Sequence, residues 1–190
     1  MQWPQGKFKC ILADPPWSFQ IWSAKGNKKS PSRHYSCMSL EDICALPVSQ
    51  LTDDDGVLFL WTTDPFLQKA FEVIQAWDYT YKTMGFVWVK SNRTKLGFFH
   101  GTGYWTRANP EYLLLATKGS PKRIHKNIDT LLIAPRREHS RKPEEIYAKI
   151  EGLVAGPRLE LFARSQRPGW TCWGDETDKF TKETNGTHVI

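Results

Sequence analysis

The stretch that decides the fold reads FKCILADPPW and covers Phe8–Trp17. Apart from Lys9, its first six residues are typical of a buried strand, and Asp14 ends the run with a carboxylate. Two prolines follow, and proline cannot continue a paired strand. Two interpretations fit: a rigid cluster of acceptors at the sheet edge where α/β proteins place their chemistry, or a turn that uses Trp17 as a core anchor. The strand before the motif and the tryptophan within it favour the first.

The chemistry that this cluster suits is attack by an exocyclic aromatic amine. Such a nitrogen is a poor nucleophile because its lone pair is delocalised into the ring. Acceptors that hold both amine hydrogens push the nitrogen toward tetrahedral geometry and free the lone pair. The Asp14 carboxylate can supply one acceptor, and the Pro15 carbonyl, held by the peptide to Pro16, can supply the other. Trp17 offers a face on which an extruded base could stack. The predicted catalytic residues are Asp14, Pro15, Pro16 and Trp17.

Strand and helix patterns alternate along the rest of the chain. Ser39 begins a short helix with a capping box, Asp64-Pro65 forms a cap followed by proline, and Pro143 opens a third helix. This alternation predicts an α/β fold whose open, largely parallel sheet is covered on both faces. We expect a single domain over residues 1–180 and a polar tail over 181–190. The further predicted strands are 57–61, 81–90, 112–117, 130–134, 158–163 and 171–173.

Composition favours a polyanionic partner. The chain has 190 residues, with 26 Lys and Arg against 20 Asp and Glu, so the net charge is +6. A basic excess attracts nucleic acid electrostatically. The nine tryptophans suit a protein that stacks bases, although core packing is the expected role for more than half of them.

The cysteines and the apolar stretches indicate a cellular compartment. The four cysteines show neither a CxxC pair nor a histidine at zinc spacing, so we expect reduced thiols and no metal site. No apolar stretch has the length of a membrane span, and the first residues lack an apolar signal core. These features predict a cytoplasmic protein without membrane contact.

Motifs in a fixed order connect the chain to a known family. Together they span about Phe8 to Glu176, and the ordered set resembles the DPPW-type adenine-N6 methyltransferases. That family includes the catalytic subunit of the eukaryotic mRNA methyltransferase and many bacterial and phage DNA methyltransferases. After the DPPW motif, the segments that carry the resemblance are LFLW at 58–61, FVWVK at 86–90, GYW at 103–105, HSRKPEEIY at 139–147 and ELFAR at 160–164.

The resemblance implies a Rossmann-like class I fold that uses S-adenosyl-L-methionine. Family members are circularly permuted, with the catalytic motif first and the cofactor half last. Their cofactor strand resembles residues 160–164 instead of a glycine loop, which accounts for the absence of a GxGxxG motif after any predicted strand. We therefore expect the cofactor site in the second half of this chain.

The resemblance also implies which residues hold the cofactor. Ser140 and Lys142 precede the Pro143 helix, whose positive end favours an anion, and are assigned to the methionine carboxylate. Glu160 is expected to accept from the ribose hydroxyls. Asp175 stands where relatives commonly carry Asn, so it can accept from a ribose but cannot donate. The full cofactor set is Asp14, Ser140, Lys142, Glu160, Phe162, Arg164, Asp175 and Glu176, whereas Arg136 and Arg137 are interpreted as a solvated basic rim.

Three loops are candidates for substrate contacts. We expect residues 23–33 to form a basic lid ahead of Tyr35, and the resemblance implies that Tyr35 closes over the target base. Residues 91–109 interleave cations with aromatic rings, a mixture that suits nucleotides. The basic loop 120–126 is equally explained as a solvated surface. The predicted substrate residues are Trp17, Lys25, Tyr35, Arg93, Trp105, Arg107 and, because relatives have an acid there, Glu111.

The sequence therefore predicts methylation of adenine N6 in nucleic acid, by base extrusion and direct methyl transfer. DNA is favoured over RNA because the compact chain shows no appended RNA-binding module, and a bacterial or phage source is expected. RNA methylation remains one alternative. A catalytically silent nucleic-acid-binding partner is the other, and the intact Asp14–Trp17 motif argues against it. We expect a monomer or a homodimer.

Overall fold

The computed structural model of the protein describes residues 2–18, 37–138 and 141–180. These residues form one sheet of seven strands with three α-helices packed on it. The strands are β1 (Phe8–Ala13), β2 (Thr52–Thr62), β3 (Thr80–Ser91), β4 (Glu111–Thr117), β5 (Leu131–Pro135), β6 (Arg158–Leu161) and β7 (Trp170–Trp173). The helices are α1 (Leu40–Ala45), α2 (Leu67–Ala76) and α3 (Glu145–Leu153), and 3₁₀ turns cover Val48–Gln50 and Asp64–Phe66.

The strand order across the sheet is β5-β3-β4-β2-β1-β6-β7. β1 is parallel to β2 on one side and to β6 on the other, while β3 is parallel to β5 and β6 to β7. β4 runs antiparallel to both of its neighbours, β2 and β3. The predicted α/β fold with a largely parallel sheet is confirmed, and among the described strands β4 alone runs against the others.

The central position of β1 explains its apolar sequence. Ile11 and Ala13 pack in one core cluster with α1 and α2, whereas Cys10 and Leu12 pack in a second cluster with α3. Because successive strand residues point to opposite faces, the sheet is covered on both sides. The first strand of the chain also lies beside the sixth, so the predicted catalytic strand and the predicted cofactor strand are neighbours.

Helix starts follow the sequence signals only in part. Ser39 caps α1, since its Oγ accepts from the backbone N of Asp42 at 3.0 Å. The helix predicted from Asp64 begins three residues later, at Leu67, because a 3₁₀ turn comes first. Helix α3 begins at Glu145 instead of Pro143, because its first turn closes through a short-range bond from Ile146 N to the Pro143 carbonyl at 3.3 Å.

Strand β6 ends at Leu161, two residues earlier than predicted. Phe162 has φ 63°, a left-handed conformation that few residues other than glycine adopt, and this conformation ends the strand. The backbone N of Ala163 then bonds to the carbonyl of Trp173 at 2.9 Å. Residues 162–164 therefore form a turn held against the end of β7.

Two general features concern the described residues as a whole. Cys10, Cys37, Cys44 and Cys172 form no disulfide with one another. Within the described ranges, none of the helices combines the length and apolar character that crossing a bilayer requires.

Candidate active site

The polar residues of the site converge at one edge of the sheet. Asp14 follows the carboxyl end of β1, Lys90 lies near the carboxyl end of β3, and Glu160 lies near the carboxyl end of β6. Glu111 begins β4 and is paired in register with Trp88 of β3. Because β4 runs in the opposite direction, its first residue reaches the edge where its neighbours end. The antiparallel strand therefore delivers a carboxylate to the same edge.

Four charged side chains form a continuous network there. Lys142 Nζ donates to Asp14 Oδ2 at 2.6 Å and lies 3.3 Å from Glu111 Oε2. Lys90 Nζ lies 2.7 Å from Glu111 Oε1. The side chains of Lys142 and Glu111 are only 13% and 11% exposed, whereas that of Asp14 is 29% exposed. Asp14 is thus the member of the network most open to a substrate.

Burial and neighbouring charges set the ionisation of this network. Burial raises the pKa of Asp14, and the opposing pull of Lys142 does not cancel that rise. Burial also acts to raise the pKa of Glu111, but Lys142 and Lys90 together hold it below its ordinary value. Burial acts to lower the pKa of Lys142, yet the two carboxylates raise it, so this ammonium stays charged.

Two tryptophans lie beneath the lysines. The Lys142 ammonium lies 5.5 Å from the ring centroid of Trp61, and the Lys90 ammonium lies 5.3 Å from that of Trp88. The two indoles meet edge to face at 6.4 Å. Sequence reasoning did not assign Lys90 or Trp61 to the site. Both stand near the ends of apolar strands in the motifs at 58–61 and 86–90. That position was the sequence feature that could have assigned them to the site edge of the sheet.

Glu160 presents an unused acceptor to the same cavity. Its Oε1 accepts from the Tyr147 hydroxyl at 2.9 Å, whereas its buried Oε2 has no hydrogen-bond partner among the described residues. Burial raises the pKa of Glu160 to about 7, and the Tyr147 hydrogen bond opposes that rise. A buried carboxylate oxygen without a donor fits a sugar hydroxyl, which can donate. The predicted ribose contact therefore fits this structure, and Tyr147 is a further site residue that sequence reasoning missed.

The turn after β6 fixes the other predicted cofactor residues. Phe162 and Arg164 both line the cavity that contains Asp14 and Glu160. Arg164 Nε donates to Glu176 Oε2 at 3.0 Å, and Lys179 pairs with the same carboxylate. Glu176 is therefore engaged by protein cations, and neither it nor Asp175 is among the residues that line this cavity. Both were predicted to contact the cofactor, and the structure places them outside the cavity wall.

The start of α3, where an anion site was predicted, carries a carboxylate of its own. Glu144 occupies the cap position and brings its own carboxylate to this helix end. That carboxylate pairs with Arg137 at 3.3 Å, with Arg141 at 3.1 Å and with Arg167. Lys142 pairs with Asp14 and Glu111. A protein carboxylate with three arginine partners therefore lies at this helix start, and the assignment of the methionine carboxylate to Ser140 and Lys142 stays a prediction.

The DPPW turn is held by its own backbone. The Pro15 carbonyl accepts from Trp17 N at 2.9 Å, and the Pro16 carbonyl accepts from Met38 N at 2.9 Å. A carbonyl oxygen has two lone pairs, so Pro15 can still accept one further hydrogen bond. The Pro15–Trp17 contact gives the motif the rigidity predicted for it.

Trp17 is a core residue in this structure. It is 8% exposed, its ring stacks on Phe66 at 5.5 Å, and its Nε1 donates to the Trp61 carbonyl at 3.3 Å. The predicted stacking on a target base needs an open ring face, and the packing of this indole does not supply one. The alternative role as a core anchor is the one that the structure shows.

The substrate loop after β3 exposes its aromatic residues. Tyr104 is 98% exposed and Trp105 is 90% exposed. Asn109 ties the base of this loop to β3, because its Oδ1 accepts from Lys90 N at 3.0 Å and its Nδ2 donates to the Lys90 carbonyl at 2.9 Å. Arg93 and Arg107 are also exposed. The predicted contacts at Lys25, Tyr35 and Ser140 lie outside the described residues.

Two adjoining cavities open at this edge of the sheet. The inner one, of about 30 Å³, contains Asp14, Lys142 and Glu160. The outer one, of about 760 Å³, shares Arg141, Glu144, Ser165 and Phe180 with it. The inner cavity is too small for a nucleoside cofactor, whereas the outer one has the volume of ordinary small-molecule sites. A bound cofactor would therefore extend from the Glu160 region into the part of the outer cavity that adjoins the inner one, at Arg141, Ser165 and Phe180.

Fold and site together define a class of protein. A seven-stranded mixed sheet with a DPPW turn after β1 and Glu160 near the end of the neighbouring β6 is the architecture of a class I S-adenosyl-L-methionine-dependent methyltransferase. The MT-A70 family profile matches residues 8–176, and the chain belongs to the MT-A70 family. The protein is accordingly a methyltransferase that acts on adenine N6 in nucleic acid.

Individual relatives show how the match is distributed. The chain is 33% identical over 196 residues to the Type II methyltransferase M.MunI of Mycoplasma sp, and the match covers 92% of this chain and 80% of that protein. It is 32% identical to the human N(6)-adenosine-methyltransferase catalytic subunit METTL3, covering 91% of this chain and 29% of METTL3. The Drosophila melanogaster N(6)-adenosine-methyltransferase MT-A70-like protein is 33% identical, with 27% of its length covered. The chain thus spans most of the first relative and less than a third of the other two.

Proposed function

We propose that this protein methylates the N6 amine of adenine in DNA, with Asp14 as the group that holds the reacting amine. One observation carries this proposal: Asp14, at the end of β1, and the unpartnered Oε2 of Glu160, at the end of β6, line the same cavity. Methyl transfer requires the cofactor and the base to be held side by side. An acceptor for the amine and an acceptor for the ribose on neighbouring parallel strands meet that requirement.

The chain's own residues hold and align the amine. Asp14 Oδ2 is engaged by Lys142, which leaves Oδ1 to accept one amine hydrogen. The second lone pair of the Pro15 carbonyl accepts the other. These two acceptors orient the N6 lone pair toward the cavity in which Glu160 anchors the ribose. When bound, the cofactor would supply a methyl group on a cationic sulfur, and this sulfur would keep the electron pair of the sulfur–carbon bond that breaks as the N6 lone pair forms the new bond.

The proton balance closes at Asp14. Methyl transfer leaves the N6 nitrogen positively charged, and it must lose one of its hydrogens. Asp14 already accepts one of them, and burial raises the pKa of this carboxyl. Asp14 Oδ1 is therefore placed to take the proton and pass it to solvent through its 29% exposed side chain. Lys142 and Lys90 keep Glu111 ionised beside Asp14, so the charges around the reacting amine are already in place before methyl transfer.

DNA is the proposed substrate because of the relative that the chain matches over most of its length. That relative is a Type II methyltransferase, a designation that implies DNA. RNA is the second candidate, because several relatives that are 32–34% identical are N(6)-adenosine methyltransferases. The exposed aromatic pair Tyr104 and Trp105 suits stacking on unpaired bases of either nucleic acid.

Matched oligonucleotides test this function. DNA and RNA strands of one adenine-containing sequence would be incubated with the protein and S-adenosyl-L-methionine, then digested to nucleosides and analysed for N6-methyladenine. We expect methylation of DNA, faster than of RNA, and none with Asp14→Ala. Faster methylation of the RNA strand would overturn the DNA assignment and leave the adenine-N6 mechanism in place. Methylation at another base position would overturn the mechanism.

A further inference from the structure

The outer cavity has an unusual charge. Among the described residues, five arginines line it, against two glutamates. We call this cavity the arginine cleft; its charged lining residues are Arg93, Arg136, Arg137, Glu138, Arg141, Glu144 and Arg167. The excess positive charge lines a single cavity of about 760 Å³, which adjoins the inner cavity that contains Asp14. Such a surface concentrates anions.

The glutamates contact the inner arginines of the cleft more closely than the outer ones. Glu144 contacts Arg137, Arg141 and Arg167. The Arg93 side chain is 62% exposed and lies 3.8 Å from Glu138, at the outer limit of an ion pair. Arg136 is exposed and has no carboxylate partner among the described residues. Its guanidinium lies 4.3 Å from the ring centroid of Phe99, on the substrate loop. The side chains of Arg93 and Arg136 are therefore held in place and accessible to an external anion.

The strand order separates these outer arginines from the cofactor strand. Arg93 follows β3 and Arg136 follows β5, which lie four and five strand positions from β6. At about 4.8 Å per strand, that separation is roughly 19–24 Å. A cofactor whose ribose is anchored at Glu160 would have to cross β1, β2 and β4 to reach them. A polynucleotide strand that passes Asp14 is long enough to reach these arginines.

We propose that the outer end of the arginine cleft, at Arg93 and Arg136, binds the phosphodiester backbone of the strand that carries the target adenine, an inference that rests on the proposed function. Guanidinium groups bind phosphate through paired hydrogen bonds, and successive phosphates match a row of arginines on the loops after β3 and β5. The shared wall with the inner cavity then brings the base of a bound nucleotide to Asp14. Arg136 and Arg93, interpreted from sequence as a solvated rim and a loop contact, form the outer end of this track.

A charge-matched pair of variants tests the cleft. Arg93→Ala/Arg136→Ala removes two cations from the cleft, and Lys7→Ala/Lys9→Ala removes two exposed cations from the opposite end of β1. Binding of a labelled adenine-containing DNA would be measured by fluorescence anisotropy over a range of salt concentrations. Calorimetry would measure S-adenosyl-L-methionine affinity, and circular dichroism would verify folding.

The cleft variant should bind DNA about tenfold or more weakly at low salt. Its log–log salt slope should be smaller by about 1.4–1.8, because each lost phosphate contact accounts for about 0.7–0.9 of that slope. The lysine control should change the slope far less, and cofactor affinity should be unaltered in both variants. DNA binding equal to that of the control would overturn the proposal. So would a loss of cofactor affinity without a loss of DNA affinity, which would assign the cleft to the cofactor.

Turnover separates this proposal from the function on which it rests. If the wild-type protein methylates adenine and the cleft variant binds DNA as tightly as the lysine control, the proposed role of the cleft is refuted and the proposed function stands. Wild-type protein that binds DNA through the two arginines but methylates no adenine would refute the function and keep the cleft.

Discussion

At the scale of single residues, Asp14 has two separable tasks. It accepts from Lys142 and is the proposed acceptor for the amine. In Asp14→Ala, Lys142 still has Glu111 at 3.3 Å, so no buried cation is left without a partner. We expect a folded protein whose methyl transfer is abolished, measured by nucleoside analysis after verification of thermal unfolding. Asp14→Asn should keep some activity, because an amide oxygen still accepts. Wild-type turnover by folded Asp14→Ala would refute the mechanism.

Glu160 predicts how cofactor binding depends on pH. Its pKa lies near 7 in the folded protein, against 4.5 for a free side chain, and ribose hydroxyls donate best to the ionised form. Cofactor affinity should therefore rise as pH increases from about 6 to 8. Glu160→Gln should bind more weakly, and its affinity should be flat over that range. Calorimetric titrations at several pH values measure both effects, and an equal slope in the two proteins would contradict this role for Glu160.

The same shift has a consequence for stability, with a definite sign. A carboxyl with a raised pKa binds its proton more tightly when folded, so stability is highest at low pH and falls as pH rises from 4.5 through about 7. Glu160→Gln lacks this titration. In the absence of cofactor, the variant should therefore gain stability relative to wild type as pH increases across that interval. Denaturant unfolding at the two ends of the range measures this difference.

Removal of Lys142 should cost stability to an extent that depends on pH. Lys142→Ala leaves Asp14 and Glu111 without their shared cation, and breaking a buried pair costs about 3–5 kcal/mol. The carboxyl pKa values then rise in the folded variant, so the loss should be larger near pH 8 than near pH 5. Urea unfolding at both pH values measures it. Lys142→Arg keeps the charge and serves as the control, and an equal loss at both pH values would contradict the shared ion pair.

At the scale of elements, the turn after β6 depends on Gly174. A Cβ at this position would collide with the backbone O and N of Ala163, and backbone atoms cannot move aside as a flexible side chain does. Gly174→Ala should therefore displace the 162–164 turn that carries Phe162 and Arg164. We expect a stability loss of about 1–3 kcal/mol and weaker cofactor binding, measured by thermal unfolding and calorimetry. Gly6→Ala is the comparison variant: no described atom lies within 4 Å of its Cβ position, so any loss there comes from its φ of 105° and not from a collision. Unchanged cofactor affinity in a folded Gly174→Ala protein would separate this turn from the cofactor site.

The direction of β4 also has a functional consequence at this scale. A parallel strand in the same place would begin at the opposite edge of the sheet and leave Glu111 far from Asp14. Because β4 is antiparallel, Glu111 meets both Lys90 and Lys142. One reversed strand thereby completes the charge network of the site.

At the scale of the whole molecule, the cofactor should act as a bridge between distant parts of the chain. Its proposed contacts lie after β1 and β6, which are adjacent in the sheet but at opposite ends of the sequence. A ligand present at about 100 times its dissociation constant stabilises the folded state by about 2.7 kcal/mol. For a domain of this size, that corresponds to a rise in Tm of about 5–10 °C. Differential scanning fluorimetry with S-adenosyl-L-methionine measures it. Glu160→Ala should lose most of the shift and Lys7→Ala should retain it, whereas an equal shift in all three proteins would place the cofactor elsewhere.

Much of the fold was predictable because its signals are local. The apolar run that ends at Asp14 predicted a buried strand with a polar turn, and the spacing of the later motifs predicted the alternation of strands and helices. The position of Glu160 in one cavity with Asp14 was also predictable, because its place in the ordered motifs indicated a strand of the site. Helix starts and the end of β6 were less accurate, since 3₁₀ turns and the left-handed Phe162 depend on how the chain packs after it leaves an element.

The sequence by itself thus determined the order of the elements, the DPPW turn and the family of reactions, because hydrophobic periodicity and short motifs act between residues close in the chain. Only the tertiary structure decided which charges meet. Lys142 and Asp14 are 128 positions apart, and neither their contact nor that of Lys142 with Glu111 can be derived from spacing. The burial of Trp17 and the arginine cleft were likewise decided by folding. Ion pairing and burial depend on distances in space, which the sheet order sets and which no local pattern encodes.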